Sequence, residues 1–175
     1  PIDPATHVIS KSAMENYIKF FNKMQGLSYV ILRYSTVYGP GQKTGAMSDY
    51  ISALANGKQS DIWGSGQKTR DYVYVDDVVR ANILALDVKP DFDDPVFNVG
   101  TAKETSLDDL YFKIAKLLGK EAKPNYFPER PGELLRYALD YSKIKEMLGW
   151  EPQYSLDEGL IKRLKEEGYN QANKI

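Results

Sequence analysis

The chain has 175 residues, 42% of them hydrophobic, with 23 Lys and Arg against 24 Asp and Glu and a net charge of −1. That is apolar residue enough for the core of one domain or slightly more, and it leaves no global field to draw in nucleic acid or an anionic membrane. There is no cysteine and a single histidine, which excludes disulfides, thiolate metal sites, a thiol nucleophile and a histidine-rich metal centre, and fits a reducing cytoplasm.

The chain opens on Pro1-Ile2-Asp3-Pro4, with neither the basic start nor the apolar run of a signal peptide. It opens without Met, which fits a fragment, a processed product or a chain whose beginning lies further upstream. No stretch of 18 apolar residues that could span a bilayer follows anywhere. Residues 7–25 are predicted helical: Ile9, Ala13, Met14, Tyr17, Ile18, Phe21 and Met24 recur at spacings of three and four, and Gly26 stands where a helix stops. The apolar face is wide enough to predict burial on more than one side. Tyr29-Val30-Ile31-Leu32 is a continuously apolar strand, of the kind a parallel sheet covers on both faces. After the loop Gly39-Pro40-Gly41 comes a helix over 46–56, a brief strand at Ile62-Trp63, the turn Gly64-Ser65-Gly66 and a strand Tyr72-Val73-Tyr74-Val75. Asp76 is expected to cap a helix over 77–87. Val96-Phe97-Asn98-Val99 is a strand closed by Gly100, Ser106 caps a helix over 107–118, and Gly119 ends it. The Pro-rich segment 120–139 is expected to be irregular; helices over 142–148 and 156–167 follow, and 168–175 is expected to fray. Trp63 and Trp150 are assigned to the core. The order of elements gives an α/β chain with more helix than strand.

Several segments carry more than secondary structure. Ser10-Lys11 is followed by Glu15; Leu32-Arg33-Tyr34-Ser35-Thr36-Val37-Tyr38-Gly39-Pro40-Gly41-Gln42 leads into the first loop; and Gly64-Ser65-Gly66-Gln67-Lys68-Thr69-Arg70-Asp71-Tyr72-Val73-Tyr74-Val75-Asp76-Asp77 joins the turn to the next strand. Phe97-Asn98-Val99-Gly100, Arg130-Pro131-Gly132-Glu133 and Leu148-Gly149-Trp150-Glu151-Pro152 follow in order. Each is weak alone. Together, across essentially the whole chain, they resemble the C-terminal half of the extended short-chain dehydrogenase/reductases, in the NAD-dependent epimerase/dehydratase family and above all its UDP-glucose 4-epimerase branch.

The resemblance implies the end of a Rossmann-type parallel sheet, over 1–42 and 71–100, joined to a smaller mixed α/β nucleotide-sugar-binding domain over 43–70 and 101–175. It implies reversible hydride transfer through NAD, with a 4,6-dehydratase, decarboxylase or reductase of the same family as an alternative. A non-catalytic nucleotide-sugar-binding or interaction module is a further alternative. The family's glycine-rich NAD fingerprint belongs to its N-terminal half. Gly39-Pro40-Gly41 and Gly64-Ser65-Gly66 do not reproduce it, nor a P-loop. NAD is therefore expected to be bound mainly outside these residues, and the chain is expected to be inactive alone. By the same resemblance the helix 7–25 makes a homodimer interface.

The family's catalytic pair is a tyrosine and, four residues later, a lysine that lowers the tyrosine's pKa. That spacing puts both side chains on one helix face, about 6 Å apart at Cβ. Here the pair reads His7 and Lys11. An imidazole titrates in the useful range, but it is shorter than a phenol, and a nearby ammonium disfavours its charged form. His7 is thus either a substitute base or a helix-start histidine in a chain whose catalysis is lost or altered; Lys11 keeps its implied place against the cofactor. Tyr34 and Thr36 are implied to pass close to the nicotinamide. On the substrate side, Arg70 and Arg130 match arginines that hold the diphosphate, as bidentate guanidinium groups suit. Tyr72 and Tyr137 match nucleotide contacts, Glu133 stands where a carboxylate bonds the ribose, Thr36 replaces an asparagine at the phosphate, and Thr44 and Ala46 lie in the nucleotide loop. The competing reading of Arg70 is an ion pair with Asp71, and that of Arg130 a plain loop charge.

Overall fold

The computed structural model describes residues 4–88 and 94–169; from residue 170 onward the expected frayed end lies outside the described residues. In chain order the elements are α1 (Pro4–Gln25), β1 (Ile31–Tyr34), β2 (Thr36–Tyr38), α2 (Ala46–Ala55), β3 (Asp61–Trp63), β4 (Thr69–Arg70), β5 (Tyr72–Tyr74) and α3 (Val75–Leu86). They continue as β6 (Val96–Val99), β7 (Thr105–Ser106), α4 (Leu107–Leu118), β8 (Asn125–Phe127), α5 (Ser142–Leu148) and α6 (Leu156–Glu166). The α/β class predicted from the sequence is the one found.

The central feature is a strand that changes partner at one residue. β1 pairs in parallel with β6, Ile31 opposite Val96 and Tyr34 opposite Val99. The Ser35 N–H donates to the Val99 carbonyl at 2.9 Å and the Thr36 N–H to the Asp71 carbonyl at 2.9 Å. β2 then pairs in parallel with β5, Thr36 opposite Tyr72 and Tyr38 opposite Tyr74. Strand side chains alternate between faces, so the β2–β5 ladder separates two cores. Tyr38, Tyr72 and Tyr74 join Met47, Ile51, Leu54, Leu110, Ile114 and Leu160 on one side. Val73 joins Val78, Phe97, Val99, Ile144 and Trp150 on the other. Both faces of β5 are therefore packed.

Two buried aspartates tie the loops to this ladder. Asp71 is fully buried. Its oxygens accept from the Thr101 N–H at 3.0 Å and hydroxyl at 2.6 Å, from the Ala102 N–H at 3.3 Å and from the Leu139 N–H at 3.1 Å. Asp77 is also fully buried and accepts from the N–H groups of Gln153 and Tyr154 at 3.0 and 3.1 Å and from Arg80 Nη2 at 2.8 Å. The close fit around Asp71 explains Gly100: a Cβ there would lie 2.5 Å from Asp71 Oδ2 and 2.9 Å from Leu139 Cβ.

Three expectations are corrected. Asp76 is not a cap: α3 begins at Val75, its N-cap Tyr74 supplies no side-chain hydrogen bond, and Asp76 instead pairs with Lys162 at 2.6 Å. The segment 120–139 is not wholly irregular, because Asn125–Phe127 adds in parallel to β3, Asp61 opposite Asn125. The apolar face of α1 is not buried: Val8, Ile9, Met14, Tyr17, Phe20, Phe21 and Met24 leave 41–67% of their surface exposed. Two ion pairs tie α1 to the rest of the chain, Glu15 with Arg33 of β1 at 2.6 Å and Lys19 with Asp94, before β6, at 3.1 Å. The Arg33 guanidinium holds the Glu15 carboxyl below the ordinary range. The caps at Ser106 and Gly119 stand as expected: the Ser106 side chain accepts from the Asp109 N–H, and Gly119 is left-handed at φ 62°. None of the helices described is long and apolar enough to cross a membrane.

Asp71→Asn turns an amide N–H₂ toward backbone donors. It is expected to cost about 3 kcal/mol, seen in thermal unfolding as a Tm lower by roughly 6–12 °C; an unchanged Tm would show that these loops hold themselves.

Candidate functional site

A cavity of about 560 Å³ opens beside the Tyr face of the β2–β5 ladder. Thr36 and Tyr38 of β2, and Arg70 and Tyr72 on either side of Asp71, form its floor. The β2–α2 loop and the start of α2 contribute Gln42, Gly45, Ala46, Met47 and Tyr50. β3 and its approach contribute Gln59, Ser60, Asp61 and Trp63, and the loop after β8 contributes Arg130 and Glu133. Loops distant in sequence thus face one another across a rigid ladder, the usual origin of a small-molecule site.

The two arginines are held differently. Arg70 Nη1 donates to the Thr69 and Leu134 carbonyls at 2.7 and 2.9 Å. A guanidinium has five N–H donors, so the remainder can face the cavity. Arg70 makes no ion pair with Asp71, whose oxygens are taken by Thr101, Ala102 and Leu139. Arg130 stacks on the Trp63 ring, its guanidinium carbon 4.1 Å from the ring centre, a contact that orients a cation without consuming its donors. Trp63 is therefore half-buried in the cavity wall and not in the core, whereas Trp150 is 1% exposed and a core residue as expected.

Lys68 is buried with its ammonium 2.7 Å from Glu133 Oε2 and 3.3 Å from Glu129 Oε1. Desolvation opposes its charge, but the hydrogen bonds its ammonium donates to Glu133 and Glu129 outweigh that and hold Lys68 above the ordinary lysine range. This clasp fixes the Arg130-Pro131-Gly132 turn against the Gly64–Lys68 turn. The cavity's phenols are the other perturbed groups. Burial raises Tyr38 and Tyr50, and pushes Tyr72 up to about 12 although Arg70 pulls it down. They are hydrogen-bonding phenols near neutral pH, not tyrosinate bases.

Of the predicted site residues, Thr36, Ala46, Arg70, Tyr72, Arg130 and Glu133 meet in this cavity. Thr44 is exposed and outside its lining. The Tyr137 hydroxyl donates to the Tyr34 carbonyl at 3.4 Å, away from it. Tyr34 lines a separate groove between β1 and α3, its hydroxyl donating to Asn82 Oδ1 at 2.9 Å. His7 and Lys11 are exposed on α1 and line neither space. Thr36 lines the cavity, Tyr34 the groove, and Lys11 neither of these two spaces. Sequence reasoning missed Gln42, Lys68 and the wall role of Trp63. Gln42 and Lys68 stand inside quoted motifs, and an indole one residue before a Gly-Ser-Gly turn was the available signal for Trp63.

A profile of the NAD dependent epimerase/dehydratase family matches residues 5–100. The chain is 38% identical over 167 residues to the UDP-glucose 4-epimerase of Mycolicibacterium smegmatis, covering 93% of this chain and 53% of that protein. The structure of UDP-glucose 4-epimerase from Thermotoga maritima with UDP-glucose superposes with a TM-score of 0.84 at 41% identity, over 90% of this chain and 51% of that one. UDP-glucuronic acid 4-epimerase from Bacillus cereus, in complex with UDP-glucuronic acid and NAD, gives 0.82 at 32% identity, over 90% and 50%. The chain spans about half the length of the relatives it matches.

Because the folded state favours the neutral form of Tyr38, Tyr50 and Tyr72, the stability this represents is intact below the ordinary phenol value of 10.0. It is lost as pH climbs from there toward the raised Tyr72 value of about 12. In an ultraviolet titration of the 13 tyrosines, these three are expected to ionise only with alkaline unfolding; ionisation of all the phenols together near pH 10 would contradict their burial.

Proposed function

We propose that this chain, which belongs to the NAD dependent epimerase/dehydratase family, supplies the nucleotide-sugar-binding part of a UDP-sugar 4-epimerase. The observation that carries this is the convergence on one cavity of Arg70 and Arg130, drawn from segments 60 positions apart in the sequence. A diphosphate presents closely spaced anionic oxygens, and two guanidinium groups with open donors match it in charge and geometry. Arg130, stacked on Trp63, and Arg70, held by two carbonyls, are already oriented, which lowers the ordering cost of binding. Asp61, Glu133 and the protonated phenols offer partners for sugar and ribose hydroxyls.

NAD would supply hydride exchange in this family's chemistry. Lys11, Tyr34 and Thr36 do not converge here, so no redox step is assigned to these residues, and NAD binding falls mainly to the half of the relatives' length that this chain does not match. No proton transfer is assigned to His7, which stands apart from the cavity. By itself the chain binds the nucleotide sugar without turning it over. By the same resemblance residues 1–42 and 71–100 go with the NAD-side sheet and 43–70 and 101–175 with the sugar side, with Ile144 and Trp150 of the latter packed on Val73, Phe97 and Val99 of the former. A cytoplasmic setting suits a chain without cysteine.

Calorimetric titration with UDP is expected to give saturable binding. Arg70→Ala should weaken it by about 10- to 100-fold through loss of a charged donor set; equal affinity for the two proteins would remove Arg70 from the ligand.

The exposed apolar face of α1 supports the homodimer reading. Sedimentation is expected to show a dimer that Phe20→Asp converts to monomer without lowering Tm; a monomeric unsubstituted chain would refute that interface.

A further inference from the structure

Gln42 joins the cavity to a buried cation. Arg163, on α6, is 1% exposed. Its Nε donates to Glu167 Oε1 at 3.0 Å, Nη1 to Gln42 Oε1 at 3.1 Å, and Nη2 to the Gln42 carbonyl at 2.9 Å and Ser48 Oγ at 3.0 Å. The grip extends along the loop: the Gly41 N–H donates to Glu167 Oε1 at 3.2 Å, and Ser48 Oγ to the Gln42 carbonyl at 2.9 Å. Guanidinium has donors and no acceptor, so the end of the Gln42 amide that meets Arg163 must be its oxygen. Chemistry thus fixes an orientation that geometry alone often leaves open.

The Nε2 end turns the other way, to 3.9 Å from the point where a Cβ on Gly45 would lie. Gln42 and Gly45 both line the cavity. Among the described residues Nε2 has no hydrogen-bond acceptor, while the amide oxygen is engaged. Gln42 therefore presents the cavity with N–H donors only. Arg70 and Arg130 already supply charged donors for a diphosphate, and a neutral donor complements a neutral acceptor.

We propose that Gln42 is a specificity-determining donor to a neutral acceptor oxygen of the nucleoside, a pyrimidine keto oxygen or a ribose oxygen, and that Arg163 is the positioning residue that holds its amide in that sense. The assignment rests on the nucleotide-sugar reading above.

Gln42→Glu keeps an acceptor for Arg163 and so keeps the fold, but removes the donor. Titration with UDP, ADP and pyrophosphate is expected to show UDP weakened about tenfold or more at unchanged or raised Tm, and pyrophosphate weakened much less. A loss confined to UDP assigns the keto oxygen; a loss shared with ADP assigns the ribose. Unchanged UDP affinity, or equal losses for UDP and pyrophosphate, overturns the donor role. In the unsubstituted chain the Gln42 side-chain amide resonances are expected to shift with UDP and not with pyrophosphate. That measurement decides the matter should Gln42→Glu not fold, and no shift overturns the donor role. Arg163→Lys cannot hold Oε1 and the carbonyl together. It is expected to weaken UDP binding in the original background and to add nothing to Gln42→Glu; equal losses in both backgrounds overturn the positioning role. A folded, unsubstituted chain that binds no UDP overturns the nucleotide-sugar reading itself and this assignment with it, an outcome distinct from the others.

Discussion

The buried carboxyl group of Asp71 is the point on which the rest of the molecule turns. It lies between Arg70 and Tyr72, two cavity residues, at the place where β4 gives way to β5. Its backbone carbonyl receives the Thr36 N–H, and its side chain receives Thr101, Ala102 and Leu139. A buried polar group left without partners is costly, and one with several partners fixes their positions. One residue thus sets the parallel β2–β5 ladder, the loop after β6 and the segment leading to α5. Arg70 and Tyr72 inherit their positions from it.

On that frame the cavity is arranged for binding more than for bond making. Its cations are held by carbonyls and an indole ring, and the Lys68–Glu133 contact fastens one rim to the other. Burial keeps the phenols of Tyr38, Tyr50 and Tyr72 protonated. The site offers hydrogen-bond donors, charged donors and a few carboxyl acceptors, a set suited to holding a charged, hydroxyl-rich ligand.

Much of the site was legible because it lies in contiguous motifs. Arg70 and Tyr72 sit two residues apart across Asp71, so a strand that places one places the other. Arg130 and Glu133 were legible as residues, but their surroundings were not. The indole under Arg130 lies 67 positions away and the ammonium beside Glu133 lies 65 positions away. Tyr137 and Thr44 were expected at the nucleotide from the family resemblance, and neither is among the residues that line the cavity. A few residues of irregular backbone are enough to turn such side chains elsewhere, and Tyr137 meets the Tyr34 carbonyl instead.

The sequence by itself determined what local forces decide: helix faces from apolar spacing, the ends of α4 from Ser106 and Gly119, the buried run of β6, and the α/β class. Asp76 shows where local reasoning stops. A carboxylate at a helix start is a good cap, yet Lys162, 86 positions away, takes it. Only the tertiary structure decided that β8 pairs with β3, that the apolar face of α1 stays open, and that Arg163 reaches back 121 positions to orient Gln42. Periodicity identifies which face of an element is apolar and which side chains carry charge. What covers that face, and which partner that charge meets, is settled by contacts between residues far apart in the chain.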